Sequence, residues 1–212
     1  MLYNTPNIIL PETLALLERL QDDSELKNFF LVGGTALALQ IGHRFSIDLD
    51  FFSIGEFNSQ ALQDHLFLRY AIQTDHLSLY TIRGVIKNVK VDFLRHPYPL
   101  VQPLLTFGHL RLASIIDIAA MKLNAISHSG QRLKDFIDIF FLLEQMSLNV
   151  MLDAYAKKYA NSNPIIPLKA LVYFGDINHA ADPPIMVRKV SFREIERRLS
   201  IAVSKPGMVF SE

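Results

Sequence analysis

Short apolar runs separated by amphipathic segments characterise the first half of the chain. Residues 29–32 form an apolar run that ends at a pair of glycines, as is typical of a buried strand. Two further β-rich runs, 77–82 and 85–94, are joined through Arg83 and Gly84, so we expect them to pair as antiparallel strands. Residues 11–20 and 59–70 carry apolar positions at helical spacing, with Asn58 or Ser59 as the N-cap of the second helix.

The pattern changes after Pro97, Pro99 and Pro103, which interrupt any regular element and predict a boundary between two lobes. Beyond them, residues 112–127, 133–146, 150–159 and 168–174 show helical periodicity. A terminal helix over 191–202 begins with Ser191 and Glu194 at the two positions of a capping box. The sequence therefore predicts an α+β protein, with a mixed, mainly antiparallel sheet and flanking helices in residues 1–100 and a helical lobe in residues 101–212.

Acidic side chains interrupt the apolar pattern shortly after the glycine pair. A helix over 35–40 follows Gly33 and Gly34, and residues 47–51 then alternate so that Asp48 and Asp50 lie on one face of a strand. Two neighbouring carboxylates repel each other unless a cation lies between them, and Mg²⁺ suits that position. The alternative is a tight turn at the glycines and a solvated strand edge at the aspartates.

Four charged positions lie in other apolar segments. Asp92 interrupts residues 90–94 and needs either compensation of its charge or an edge position that faces water. Lys122 lies in an apolar helix, and Asp135 could be its partner, with Asp138 on the same helix face as Asp135. Lys122 and Asp135 would then either serve a site or form a structural salt bridge within the helical hairpin.

Composition narrows the classes of function. Half of the 212 residues are apolar, the formal net charge is zero, and cysteine is absent. These values predict a sizeable core and exclude disulfides and zinc-thiolate sites, and they exclude the overall basic charge of a dedicated nucleic-acid binder. With no apolar stretch of about 18 residues, we expect a cytoplasmic protein without a membrane partner.

The GG-T turn followed by D-x-D resembles the signature of the nucleotidyltransferase superfamily built on the DNA polymerase β palm. The longer stretch GGTALALQIGHRFSIDLDFF, with MKLNAI and RLKDFID further along, resembles more narrowly the AbiEii/AbiGii toxin family of nucleotidyltransferases. The resemblance implies a palm-like first lobe and a helical second lobe that completes the active site. It also implies a Mg²⁺-dependent enzyme that transfers a nucleotide from a nucleoside triphosphate to an acceptor such as RNA, tRNA included.

Roles for individual residues follow from the same resemblance. Catalysis and metal binding are implied for Asp48, Asp50 and Asp92, and contact with the nucleotide for Gly33, Gly34, Thr35, His43 and Arg44. Lys122 would neutralise triphosphate charge, with Asp135 beside it in the catalytic set, whereas Arg132, Lys134 and Asp138 receive no role. The implied biological setting is a toxin of a toxin–antitoxin or phage-abortive-infection system, with a cognate antitoxin as partner. The alternatives are an inactive nucleotide-binding regulatory module and a nucleotidyltransferase that acts on a protein or small molecule.

Overall fold

The computed structural model describes residues 2–181 and 183–211 and divides them into two compact units. The first unit contains the residues up to Pro99 together with Pro103–Ala113. The second contains Leu100–Gln102 and the residues from Ser114 onward. The predicted functional lobes 1–100 and 101–212 stay a prediction, but the first unit clearly takes in a segment beyond residue 100.

A seven-stranded mixed sheet forms the centre of the first unit, with the strand order β3-β4-β5-β2-β1-β7-β6. Four neighbouring pairs are antiparallel, and the pairs β1–β7 and β2–β5 are parallel. The mixed, mainly antiparallel sheet predicted from the sequence is therefore confirmed. Its strands are β1 (Phe30–Val32), β2 (Leu49–Ser53), β3 (Gln73–Ser78), β4 (Thr81–Ile86), β5 (Val89–Arg95), β6 (Leu105–Phe107) and β7 (Leu110–Leu112).

Three helices flank this sheet: α1 (Pro11–Gln21), α2 (Gly33–Ile41) and α3 (Ser59–Tyr70). Proline at the start of α1 is tolerated because the first turn has no intrahelical use for its N–H. The Asn58 side chain accepts a hydrogen bond from the amide of Ala61, which identifies Asn58 as the N-cap of α3. Between sheet and helices, the fully buried rings of Phe51 and Phe93 stack with centroids 5.0 Å apart.

The predicted strands 77–82 and 85–94 have the wrong boundaries, because three strands, each antiparallel to the next, occupy this region. Arg83 and Gly84 lie inside β4, and the chain turns instead at Tyr80, which has a φ of 55°, and at Lys87 and Asn88, with φ of 49° and 68°. A Cβ at position 84 would lie 2.4 Å from the carbonyl oxygen of Gln73. Gly84 therefore permits close approach of β3 and β4 and does not form a turn.

Two other differences concern strand boundaries. Strand β2 begins at Leu49, so Asp48 precedes it, and Ile47 is exposed although alternation predicts that it packs with Leu49 and Phe51. Strands β6 and β7 form a short hairpin that the sequence did not predict, because three-residue strands are too short to show a period. Through β7, the hairpin extends the sheet in parallel to β1.

The second unit is helical, with α4 (Ile115–His128), α5 (Leu133–Leu142), α6 (Leu148–Lys158), α7 (Ile165–Ala170) and α8 (Phe192–Ser204). The predicted capping box at the start of α8 is present: the Ser191 hydroxyl accepts from the Glu194 amide, and the Glu194 carboxylate accepts from the Ser191 amide. The glycine, aspartate, asparagine and proline residues of 175–184 predict a turn-rich segment, and Asp182 within it lies outside the described residues. None of the helices in the described ranges has the length and apolar character needed to cross a membrane.

A buried carboxylate explains why Leu100–Gln102 belongs to the second unit. The Asp117 oxygens accept hydrogen bonds from the amides of Val101 and Gln102, at 2.9 and 3.0 Å, and from the Lys158 ammonium at 2.9 Å. Burial alone would raise the pKa of Asp117, but these hydrogen bonds outweigh it and hold the pKa below its ordinary value. The ionised carboxylate thus ties the proline-rich segment to α4.

Candidate active site

Two of the predicted metal-binding carboxylates are register partners on adjacent strands. In the parallel pair of β2 and β5, Asp50 lies beside Asp92, and the flanking residues of both strands are buried. The backbone carbonyl of Asp48, the residue before β2, accepts a hydrogen bond from the Thr35 hydroxyl. The fold therefore brings Asp50 and Asp92 together and fixes Asp48 at the start of the same strand.

The glycine pair forms the first turn of α2, where the Asp50 carboxylate lies close to Gly33 and the Arg44 guanidinium lies close to Gly34. Gly33 has a φ of 69°, and a Cβ there would lie 2.6 Å from Oδ2 of Asp50. A Cβ on Gly34 would lie 2.1 Å from Nη2 of Arg44, whose guanidinium is buried. Both positions need glycine because a carboxylate and a guanidinium approach the backbone at the first turn of the helix.

Polar side chains beneath this turn join α2 to the start of β2. Thr35 is buried, and its hydroxyl also contacts Oγ of Ser46 at 2.8 Å. Arg44 donates through Nη1 to the Phe45 carbonyl at 3.2 Å and to Ser46 Oγ at 3.4 Å. His43 is fully buried, so neither basic residue is a surface side chain. Contact of His43 and Arg44 with a nucleotide stays a prediction, whereas the hydrogen bonds of Arg44 show that it holds this turn.

Asp92 has an unusual electrostatic environment. Burial raises its pKa, and the nearby charge of Asp48 raises it further, while Arg83 opposes the shift. Arg83 is the register partner of Asp92 on β4, and its Nε lies 3.4 Å from Oδ2 of Asp92. Asp50, Asp92 and Arg83 thus form a row across three strands. Sequence reasoning missed Arg83 because it assigned this residue to a turn.

The donor chemistry of the three aspartates fits Mg²⁺, which takes oxygen ligands. Within residues 2–181 and 183–211, no group of three histidine, cysteine, aspartate or glutamate side chains is arranged to hold a metal ion. Three protein ligands are not required, however, because Mg²⁺ keeps several waters and is often held by one or two carboxylates plus substrate phosphates. The aligned Asp50 and Asp92 satisfy that lower requirement.

In the second unit, Lys122 lies between two carboxylates. Its Nζ is 2.6 Å from Oδ1 of Asp135 and 2.7 Å from Oδ2 of Asp138, and all three side chains are at least nine-tenths buried. This geometry favours the structural salt bridge that the sequence left open, extended to include Asp138. The implied role of Lys122 and Asp135 at a triphosphate stays a prediction.

Comparison with known proteins gives a family and a fold. The family described as "Nucleotidyl transferase AbiEii toxin, Type IV TA system" matches residues 15–74 and 64–203. An uncharacterized protein of Aquifex aeolicus (strain VF5) is 35% identical over 155 residues, which cover 70% of this chain and 75% of that protein.

Two solved structures from Helicobacter pylori are similar in architecture. One, of a candidate nucleotidyltransferase, has a TM-score of 0.54 at 18% identity and covers 93% of this chain and 95% of its own. The other, JHP933, has a TM-score of 0.53 at 18% identity, covering 92% of this chain and 88% of its own. At this identity the likeness shows a shared fold, and it leaves substrate and acceptor to be argued from the site.

Proposed function

The chain belongs to the AbiEii nucleotidyl transferase family, and we propose that it is a Mg²⁺-dependent toxin that transfers a nucleotide from a nucleoside triphosphate to RNA. The observation that carries the proposal is the register of Asp50 and Asp92 on adjacent parallel strands, with the Asp50 carboxylate against the first turn of α2. This arrangement combines carboxylate ligands with a helix N-terminus, where backbone amides favour a bound anion.

In this proposal, Asp50 and Asp92 would hold Mg²⁺, with Asp48 as a nearby third carboxylate, and the bound ion would neutralise phosphate charge. The amides of Gly34 and Thr35 face the triphosphate, and the Arg44 guanidinium adds positive charge at the same turn. Asp92 is suited to accept the proton of the acceptor hydroxyl at a carboxylate oxygen, because it lies directly beside Asp50 in the register of β2 and β5.

RNA is the preferred acceptor because basic side chains continue the row of carboxylates on one sheet face. Arg83 is the partner of Asp92, and His76 on β3 is the partner of Arg83. Lys90 lies two residues before Asp92 on the same strand, is exposed, and therefore shares its face. Arg83 and Lys90 give a protein of zero net charge a local positive surface for phosphates beside the reacting carboxylates. A cognate antitoxin is the proposed partner, following the family description.

The test joins binding to transfer. Wild type should bind at least one nucleoside triphosphate in a Mg²⁺-dependent manner by calorimetry, and it should transfer label from one of the four α-labelled triphosphates to cellular RNA. The double variant Asp48→Asn with Asp50→Asn should lose the Mg²⁺-dependent part of the affinity and the transfer. The matched control is Asp64→Asn, an exposed carboxylate on α3, which should retain both.

Equal Mg²⁺-dependent affinity in wild type and the double variant would contradict the metal assignment. Binding without transfer to RNA, protein or small molecules would support the inactive regulatory module instead. Transfer to protein but never to RNA would retain the enzyme and change the acceptor.

A further inference from the structure

An aromatic cluster lies on the same sheet face as the candidate carboxylates. Phe52 is two residues beyond Asp50 on β2, so both side chains point to one face, roughly 7 Å apart along the strand. Its register partner on β5 is Leu94, two residues beyond Asp92. The next pair of residues on this face after Asp50 and Asp92 is therefore Phe52 and Leu94, which are aromatic and apolar.

Three rings form this cluster, which we call the Phe52–His96–Tyr98 stack. The rings of Phe52 and His96 are nearly parallel, with centroids 4.7 Å apart and an interplanar angle of 23°. The Tyr98 ring lies 4.7 Å from His96 at 53°. Phe52 and His96 are half-buried, whereas Tyr98 is 40% exposed.

The backbone holds the outer rings firmly. The His96 amide donates to the Ser53 carbonyl at 2.7 Å, and the Tyr98 amide donates to the His96 carbonyl at 2.7 Å. Prolines at 97 and 99 flank Tyr98 and fix their own φ angles. An exposed tyrosine on a rigid segment loses little conformational entropy on binding a planar ligand.

The stack and the aromatic core of this unit lie on opposite faces of the sheet. The aromatic pair that fills the interior of this unit, Phe51 and Phe93, points to the opposite face and is fully buried. The stack instead continues a face that carries Asp50, Asp92 and Arg83. Cations for phosphates and rings for bases, side by side on one sheet face, are the combination that binds single-stranded nucleic acid.

We propose that the Phe52–His96–Tyr98 stack is a nucleobase-binding platform, which holds a base beside the carboxylates by stacking on Tyr98. The proposal rests on the proposed function, since a base belongs either to the nucleoside triphosphate or to the RNA acceptor. Stacking is tolerant of base identity because every base presents a π-face.

The first experiment measures binding of a fluorescent single-stranded oligoadenylate, roughly six nucleotides long, by anisotropy without Mg²⁺. A second probe has the same backbone with abasic sites. Tyr98→Ala and Phe52→Leu should weaken binding of the base-bearing probe roughly 5- to 150-fold and leave the abasic probe unchanged. Tyr98→Phe keeps the ring and should bind like wild type. Tyr173→Ala, which removes a tyrosine that is 59% exposed in the second unit, should also bind like wild type.

The second experiment identifies the source of the base by calorimetry with each nucleoside triphosphate and Mg²⁺. If Tyr98→Ala binds the triphosphate with lower affinity than wild type, the base belongs to the incoming nucleotide. If only the affinity for the oligonucleotide falls, the base belongs to the acceptor. Unchanged affinity for both ligands overturns the proposal, as does an equal loss for the base-bearing and abasic probes. Asp50→Asn separates the two claims, because it removes Mg²⁺-dependent binding while oligonucleotide stacking without metal persists.

Discussion

Replacing Lys122 by methionine tests whether its ammonium group is a structural clamp or a phosphate-binding group. The substitution keeps most of the length of the side chain and removes the charged, hydrogen-bonding ammonium group. Asp135 and Asp138 would then remain as two buried carboxylates without the ammonium that lies 2.6 and 2.7 Å from them. We expect strong destabilisation of the second unit, because each ionised carboxylate would lose its nearest positive charge in a poorly solvated place.

The size of the destabilisation by Lys122→Met follows from two opposing contributions, ion-pair attraction and desolvation. At an effective dielectric constant of about 20, each ion pair at these distances gains roughly 6 kcal/mol, and desolvation of the three ions cancels most of that gain. Removing one partner of a buried pair costs about 3–5 kcal/mol. For a chain of this size that loss lowers Tm by roughly 6–20 °C.

The assay combines thermal melts by circular dichroism with label transfer per folded molecule. Lys122→Met should melt early and transfer normally once corrected for the folded fraction. A control variant that adds Asp135→Leu and Asp138→Leu should recover most of the lost stability, because apolar residues can replace a buried ion cluster at little cost. An unchanged Tm with transfer reduced roughly a hundredfold would refute the clamp and assign Lys122 to the triphosphate.

Three further predictions concern single sites. Because the pKa of Asp117 is lowered in the folded protein, its ionised carboxylate stabilises the fold above the unfolded pKa of about 4. This stabilisation is lost as the pH falls further, so Asp117→Asn should flatten the decline of Tm between about pH 5 and 2. Because burial raises the pKa of Asp92, Asp92→Asn should raise Tm in chelator and abolish any stabilisation by Mg²⁺, both read from melts with and without the ion. Gly34→Ala should cost about 1–3 kcal/mol in urea unfolding by displacing Arg44, whereas Gly55→Ala, with nothing within 4 Å, should be neutral.

The sequence predicted the elements with strong periodicity and missed those defined by contacts between distant segments. Helices α1 and α8 were found from their apolar spacing, and α3 from its Asn58 cap, because these are local signals. The prediction of strand boundaries between β3 and β5 was wrong because a glycine inside a strand cannot be distinguished from a turn glycine by the sequence pattern alone. Only the approach of the Gln73 carbonyl shows that Gly84 is a packing glycine.

The candidate site was predictable to the same extent. The D-x-D spacing and the lone Asp92 were visible as charges in apolar runs, and the register of β2 and β5 brings Asp50 and Asp92 together. Arg83 and the stacked ring of His96 could not be found, because their importance comes from which strand or ring lies beside them. Pairing of neighbouring strands is a tertiary property that no local pattern carries.

The buried polar residues between α2 and β2 show why the motif from Gly33 to Asp50 acts as one structural unit. Thr35 holds Ser46 and the carbonyl of Asp48, and Arg44 reaches Ser46 and approaches Gly34. These contacts join the first turn of the helix to the start of the strand that carries Asp50. Buried polar groups are costly unless they are hydrogen-bonded, so this network fixes one arrangement of turn and strand. The Asp50 carboxylate and the α2 amides are therefore positioned before any ligand binds, as electrostatic preorganisation requires.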